Sequence, residues 1–195
     1  MKVNFVKTFI PVKDFVAVEK VGNKIFVRFD TVKDADMDAY SCVEGSASAS
    51  EYNEQEVRRE YEVWKQKWTE KALILAKKAK IVEIIAYDTS TSINSFLLND
   101  KKRWLDINLR RSLSYSTNIL KENGEKTIDI WFDTECKTMN IDNALYMLKE
   151  LEVYAKQTNN VTHQHKAEVM ALTSIKDVED YDVTKGYPEK LVFSF

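Results

Sequence analysis

Glycine and proline are scarce in this chain, four of one and two of the other among 195 residues. Both residues punctuate turns and loops, so their scarcity predicts long regular elements rather than a loop-rich scaffold. The glycines, Gly22, Gly45, Gly124 and Gly186, also stand too far apart to build G-x-G-x-x-G or G-x-x-x-x-G-K, which excludes the usual phosphate cradles. There is no G-x-S-x-G, and neither cysteine, Cys42 or Cys136, has a histidine near it in sequence. The two cysteines show no metal-type spacing and read as free thiols in a reducing cytosol. No apolar run approaches the roughly 18 residues that a membrane span requires. The N-terminal "MKVNFVKTFIPVKDF" is broken by Lys7, Pro11 and Lys13, unlike a signal peptide. The expectation is a soluble protein made in a cytoplasm, with no membrane partner.

Charge of one sign is lacking too. With 29 basic against 31 acidic residues, the chain has no electrostatic footprint for general nucleic-acid binding. What it does have is apolar material, 44% of residues, enough to supply a core and argue against wholesale disorder.

Residues 1–45 read as short strands rich in Val, Phe and Ile, with Val21-Gly22-Asn23-Lys24 as a hairpin turn. "GSASAS" (45–50) reads as a small, polar boundary, with Ser48 and Glu51 spaced as a capping box. From Glu51 to about Val82, apolar residues recur every three or four positions, placing Val57, Tyr61, Trp64, Trp68 and Leu75 on one helical stripe. A helix of that length is about 48 Å long, more than a domain of this size is wide. Such a rod either joins two lobes or pairs with a copy of itself, so these five residues are the candidate self-association contact of a homo-oligomer, in the manner of a coiled coil.

Beyond it, "NSFLLNDKKRWLD" (94–106) folds two runs around an Asn-Asp turn, and Asp106 caps a helix of 107–122 that Gly124 stops. "KTIDIWF" alternates as a one-faced strand and pairs with "CKTMN" across Asp133-Thr134. Residues 141–157 form a helix ended by Asn159-Asn160. A second covers 161–172, a short third is capped by Ser174 with Asp177, and a strand closes the chain. The predicted class is α+β: a small N-terminal antiparallel β unit (1–45), a capped linker and long amphipathic helix (46–86), and a C-terminal α+β domain (87–195) with β-hairpins and a helical layer.

The chemistry-bearing residues are few. His163 and His165, two apart on a helix, point in different directions and cannot share a metal ion. His165 falls on an apolar stripe with Val161, Val169 and Leu172 and reads as a hydrogen-bonded, half-buried residue; His163 reads as solvated. No catalytic, cofactor-binding or metal-ligating set emerges, and no cofactor is expected. "KKRWLDINLRR" holds five cations and a tryptophan, the ingredients of a nucleic-acid platform. Trp104 reads instead as a core anchor beneath the helix capped by Asp106, leaving Lys101, Lys102 and Arg103 as a candidate docking edge.

The second half resembles a known family. "YDTSTSINSFLLNDKKRWLD", "IDIWFD", "ALYMLKELEVYA", "NVTHQHKAEVMALTSIKDVEDYD" and "GYPEKL", in that order within residues 84–195, are similar to the phage and prophage domain of unknown function numbered forty-three seventy-six, common in phages of gut Bacteroides. Trp104, Leu105, Asp106, Arg110 and Leu113 match its pattern, while Ser112 stands where relatives have glycine. The resemblance brings no catalytic residues with it. It implies a non-enzymatic structural or tail-assembly role through contacts with other phage structural or tail proteins, in the host bacterial cytoplasm or incorporated into the virion. A fibre-assembly chaperone or host-protein binding module is the runner-up expectation; a small enzyme or nucleic-acid binder ranks below both.

Overall fold

The computed structural model describes residues 4–34 and 36–195 of the chain. The class is α+β, and the described residues divide into two compact units: residues up to Lys78 with Thr173–Val178, and Ala79–Leu172 with Glu179–Phe195.

The first unit is built on a four-stranded antiparallel sheet of β1 (Asn4–Pro11), β2 (Val18–Val21), β3 (Lys24–Asp34) and β4 (Ala39–Ser48), in the order β1-β4-β3-β2. The β2–β3 turn falls where expected, with Gly22 at φ +57° in the left-handed region. Period-two alternation sends Ile25, Val27 and Phe29 to one face beside Val43 and Ala47. Two helices contribute to that core, α1 (Glu54–Arg59) and α2 (Tyr61–Asp88), whose later residues belong to the second unit. On the other face, the buried Arg28 guanidinium reaches Glu44 at 2.9 Å, Glu19 at 2.7 Å and the Val16 carbonyl at 2.7 Å.

Three expectations change here. "GSASAS" does not form a linker, because residues 45–48 complete β4, and the units divide instead at Lys78 and Ala79. The helix cap is Asn53, whose side chain accepts from the Gln55 N–H at 2.9 Å; Ser48 is in the strand and its hydroxyl serves Ser50. The rod is interrupted at Glu60, the C-cap of α1, with Val57 before it and Tyr61 after it both packed into the first unit's core. The Tyr61 hydroxyl donates to the Arg28 carbonyl at 2.6 Å.

The second unit sets two helices, α3 (Ile107–Glu122) and α4 (Ile141–Ala171), beside a hairpin of β7 (Thr127–Phe132) and β8 (Glu135–Asn140). A small sheet of β5 (Phe96–Leu98), β6 (Lys101–Arg103) and β9 (Val192–Phe193) has the order β6-β5-β9, with β9 parallel to β5. Phe96, Leu98, Leu105, Ile130, Phe132, Met147, Leu148, Leu151 and Phe193 share its core. α4 runs unbroken for 31 residues through Asn159 and Asn160, which were expected to end it. Asparagine inside a helix costs well under 1 kcal/mol, less than the buried row Leu151, Tyr154, Thr158, Thr162, His165, Val169 contributes. A short helix, α5 (Ile175–Glu179), whose residues up to Val178 belong to the first unit, starts as expected, with the Asp177 N–H donating to Ser174 Oγ at 3.0 Å.

Candidate functional site

The β5–β6 hairpin turns on Asn99 and Asp100, both at positive φ (49° and 63°), as a tight two-residue turn needs. The Asn99 amide ties down the other end of the chain, donating to the Phe195 carbonyl at 2.9 Å and accepting from the Phe195 N–H at 3.0 Å. The turn delivers the three expected docking cations onto β6, an edge strand.

Two of those cations are already engaged. Arg103 and Lys101 both donate to Glu135 at the start of β8, Lys101 at 3.1 Å, with Lys137 3.5 Å away. These hydrogen bonds, chiefly from Arg103 and then Lys101, hold the Glu135 carboxyl down at about 2. The Arg103 guanidinium also lies 5.3 Å from the centre of the Phe132 ring, a cation–π contact. Its Nε is the one buried side-chain nitrogen or oxygen among the described residues with no hydrogen-bond partner. Lys101 keeps its side chain 59% exposed beside Glu135, and Lys102 is exposed as well.

After β6 the chain enters α3. Asp106 caps it as expected, accepting from the Asn108 N–H at 2.8 Å and the Leu109 N–H at 3.0 Å. The fully buried anchor is Leu105, however, not Trp104. Trp104 lies outside the strand, half-buried against the core. Over its ring, at 5.3 Å, sits the guanidinium of buried Arg110, which donates to Glu152 at 2.9 Å and to the Leu105 carbonyl at 2.6 Å.

Trp131 completes the site. The alternation that buries Ile128, Ile130 and Phe132 turns Trp131 outward, 60% exposed and paired across the hairpin with exposed Cys136. Between these elements lies a cleft of about 400 Å³, lined among others by Asn94, Lys102, Trp104, Leu109, Trp131 and Asp133. Two indoles beside an exposed ammonium suit an apolar or aromatic side chain with a carboxylate close by. Trp and Arg surfaces of this kind are enriched where protein partners bind most strongly.

The other expected contact is not available. Val57 and Trp68 are 2% and 3% exposed, and Tyr61 and Trp64 pack with them against the first unit's own sheet. Leu75 alone of the five is open, at 44%. The stripe satisfies itself within one chain, because the β face it covers would otherwise be bare. The Trp64–Trp68 edge-on pair, 5.9 Å between centres, is part of that packing.

His165 is hydrogen-bonded as expected and more deeply buried, at 6% exposure, with Tyr181 and the Lys185 carbonyl as partners. His163 is exposed. Cys42 is buried, and burial pushes its thiol up. Among the described residues, no three His, Cys, Asp or Glu side chains stand where they could hold one metal ion, and no helix is long and apolar enough to cross a membrane.

Sequence reasoning missed Trp131 as a surface residue although the alternation of "KTIDIWF" already pointed it outward. It had no signal for Glu135, whose partners are 32 and 34 positions away. Compared with models of known protein families, with curated proteins and with solved structures, the chain has no match.

Proposed function

We propose that this protein is a non-enzymatic phage or prophage structural or tail-assembly protein, and that the cleft between Trp104 and Trp131 is where it takes hold of a protein partner. The phage setting rests on the residues in 84–195 that resemble such a family. The contact surface rests on one observation: a tryptophan left 60% exposed on a strand whose other large apolar residues are buried, beside an exposed lysine and a half-buried second indole. Leaving an indole in water forfeits a burial worth about 2 to 3 kcal/mol, which a partner recovers on binding.

The test is made in the phage or lysogen that encodes the protein. Mass spectrometry of gradient-purified particles detects the chain, and Trp131→Ala together with Lys102→Glu lowers its incorporation and the yield of infectious particles. A chaperone instead occurs in assembly intermediates and is lost from finished particles. Absence from both, with yield unchanged when the gene is deleted, sinks the reading.

A further inference from the structure

The C-terminal segment that follows α5 lies against α4 at one histidine. His165 uses both ring nitrogens: Nδ1 is 2.6 Å from the Tyr181 hydroxyl and Nε2 is 2.8 Å from the Lys185 carbonyl. The Tyr181 hydroxyl in turn lies 2.5 Å from Glu168 Oε2, one turn along α4. Four groups thus form a chain of three short contacts, and each contact needs one hydrogen.

Counting hydrogens decides the chemical state. A carbonyl oxygen can only accept, so Nε2 carries a hydrogen for Lys185. Hydrogen bonds from Tyr181 and then Gln164 hold Glu168 below the usual carboxylate range, so it is an anion and also only accepts. Burial, and next the bond to Glu168, push the Tyr181 hydroxyl up, so it keeps its single hydrogen and gives it to Glu168. The remaining contact, between Nδ1 and the Tyr181 oxygen, has no hydrogen left unless Nδ1 supplies it. A neutral imidazole, a phenol and a carboxylate hold two hydrogens between them, one short of the three contacts.

We propose that His165 is a doubly protonated imidazolium in the folded protein and acts as a proton-dependent clasp, fastening residues 179–187 to α4 by donating to Tyr181 on one side and to the Lys185 carbonyl on the other.

The surroundings suit a cation. From α4, Glu168 faces the ring through Tyr181, and Thr162 donates to Asp88 of α2 at 2.7 Å and meets the Tyr187 hydroxyl at 2.9 Å. From the C-terminal segment, the Tyr187 ring stacks on the imidazole at 5.6 Å between centres and the Tyr181 ring stands edge-on at 5.5 Å. Asp182 acts on Tyr181 from the same segment, and the Lys185 ammonium is drawn 3.6 Å from Asp182. From α2, Tyr87 lies against Tyr187, and Lys80 donates to the Glu179 and Tyr181 carbonyls at 3.2 and 3.3 Å. Glu168 and Asp182 thus act on Tyr181, which bonds the ring, Asp88 is bonded to Thr162, and the two ammonium groups are themselves paired, Lys185 with Asp182 and Lys80 with Glu83 at 2.8 Å. Removing the second proton takes away the Nδ1 donor, leaves two lone pairs opposed at hydrogen-bonding distance, and unfastens one side of the clasp.

The experiment reads the ring nitrogens directly in the full-length protein by long-range proton–nitrogen-15 spectra at about pH 7.5, a unit above the ordinary histidine value. His165 is expected to show two protonated nitrogens. A neutral, single-hydrogen pattern at His165 overturns the proposal. Amide hydrogen exchange, corrected for its intrinsic pH dependence, is then followed upward in pH. Protection across 179–187 should fall as the His165 signals change, with α3 unaffected; unchanged protection through that change overturns the clasp. Tyr181→Phe keeps the ring contact but removes the acceptor, and it should return His165 to the neutral pattern with faster exchange in 179–187.

Discussion

Gly45 of β4 lies directly beneath the indole of Trp68: a Cβ placed on it would fall 2.3 Å from Cε3 and 2.7 Å from Cζ3 of that ring. Phe5 closes the third side, its ring 6.1 Å from Trp68 and perpendicular to it. The sheet thus offers a flat place with no side chain, and one of the two tryptophans of α2 occupies it. Gly45→Ala is expected to destabilise the protein by about 1 to 3 kcal/mol through overpacking, and Trp68→Ala by about 3 to 5 kcal/mol through the cavity it leaves. Urea unfolding followed by circular dichroism measures both, and because the two residues touch, the double mutant should fall short of the sum.

Glu135 gives a prediction in acid. Its carboxyl is held down at about 2 in the folded protein, from an ordinary 4.5, by Arg103 and Lys101. A depressed value means that the stabilisation is fully present above the ordinary value and is lost as pH falls through about 2. Carbon-13 titration of the Glu135 carboxyl should find its midpoint near that lower value. Glu135→Gln should flatten the fall in melting temperature over the same interval.

Arg110 tests the joint between α3 and α4. It is buried, and its carbonyl partner at Leu105 has no solvent to turn to. Arg110→Ala strands that carbonyl and uncovers the face of Trp104, for an expected loss of about 2 to 3 kcal/mol by chemical denaturation. Arg110→Lys should not restore it, since an ammonium cannot serve Glu152 and the carbonyl from one planar group while covering the indole.

Asn159 is exposed in the interior of α4. In a continuous helix, Asn159→Ala raises stability by roughly 0.5 kcal/mol, since alanine is the better helix former. A loss of stability would mean that asparagine was serving a helix end there.

How far this architecture is legible in the sequence can be followed through particular residues. Elements governed by local chemistry were readable: the Asp106 cap, the Ser174–Asp177 start of α5, the Gly22 turn and the α3 stop at Gly124 all depend on neighbours within a few positions. Elements governed by distant partners were not. "GSASAS" has the composition of a linker, but its backbone pairs with β1 and β3, and the ladder outweighs the propensity of small polar residues for loops. Asn159-Asn160 looks like a stop, but the buried row beneath it continues to Val169. At the candidate site, the cations of β6 are legible in the sequence, while the carboxylate that claims two of them arrives from another hairpin. The spacing of Trp64 and Trp68 puts them on one stripe; periodicity alone does not say whether a second chain or the same chain covers it.

The first unit's core holds one residue from far down the chain, Ile175 of α5, buried among the side chains of β3, β4 and α2. During synthesis, then, the N-terminal sheet, complete at Ser48, emerges from the ribosome well over a hundred residues before Ile175, the piece that closes its apolar interior. Over that interval the nascent chain carries an unsealed hydrophobic surface, a natural foothold for a holding chaperone, and translation speed across α3 and α4 sets how long it stays open.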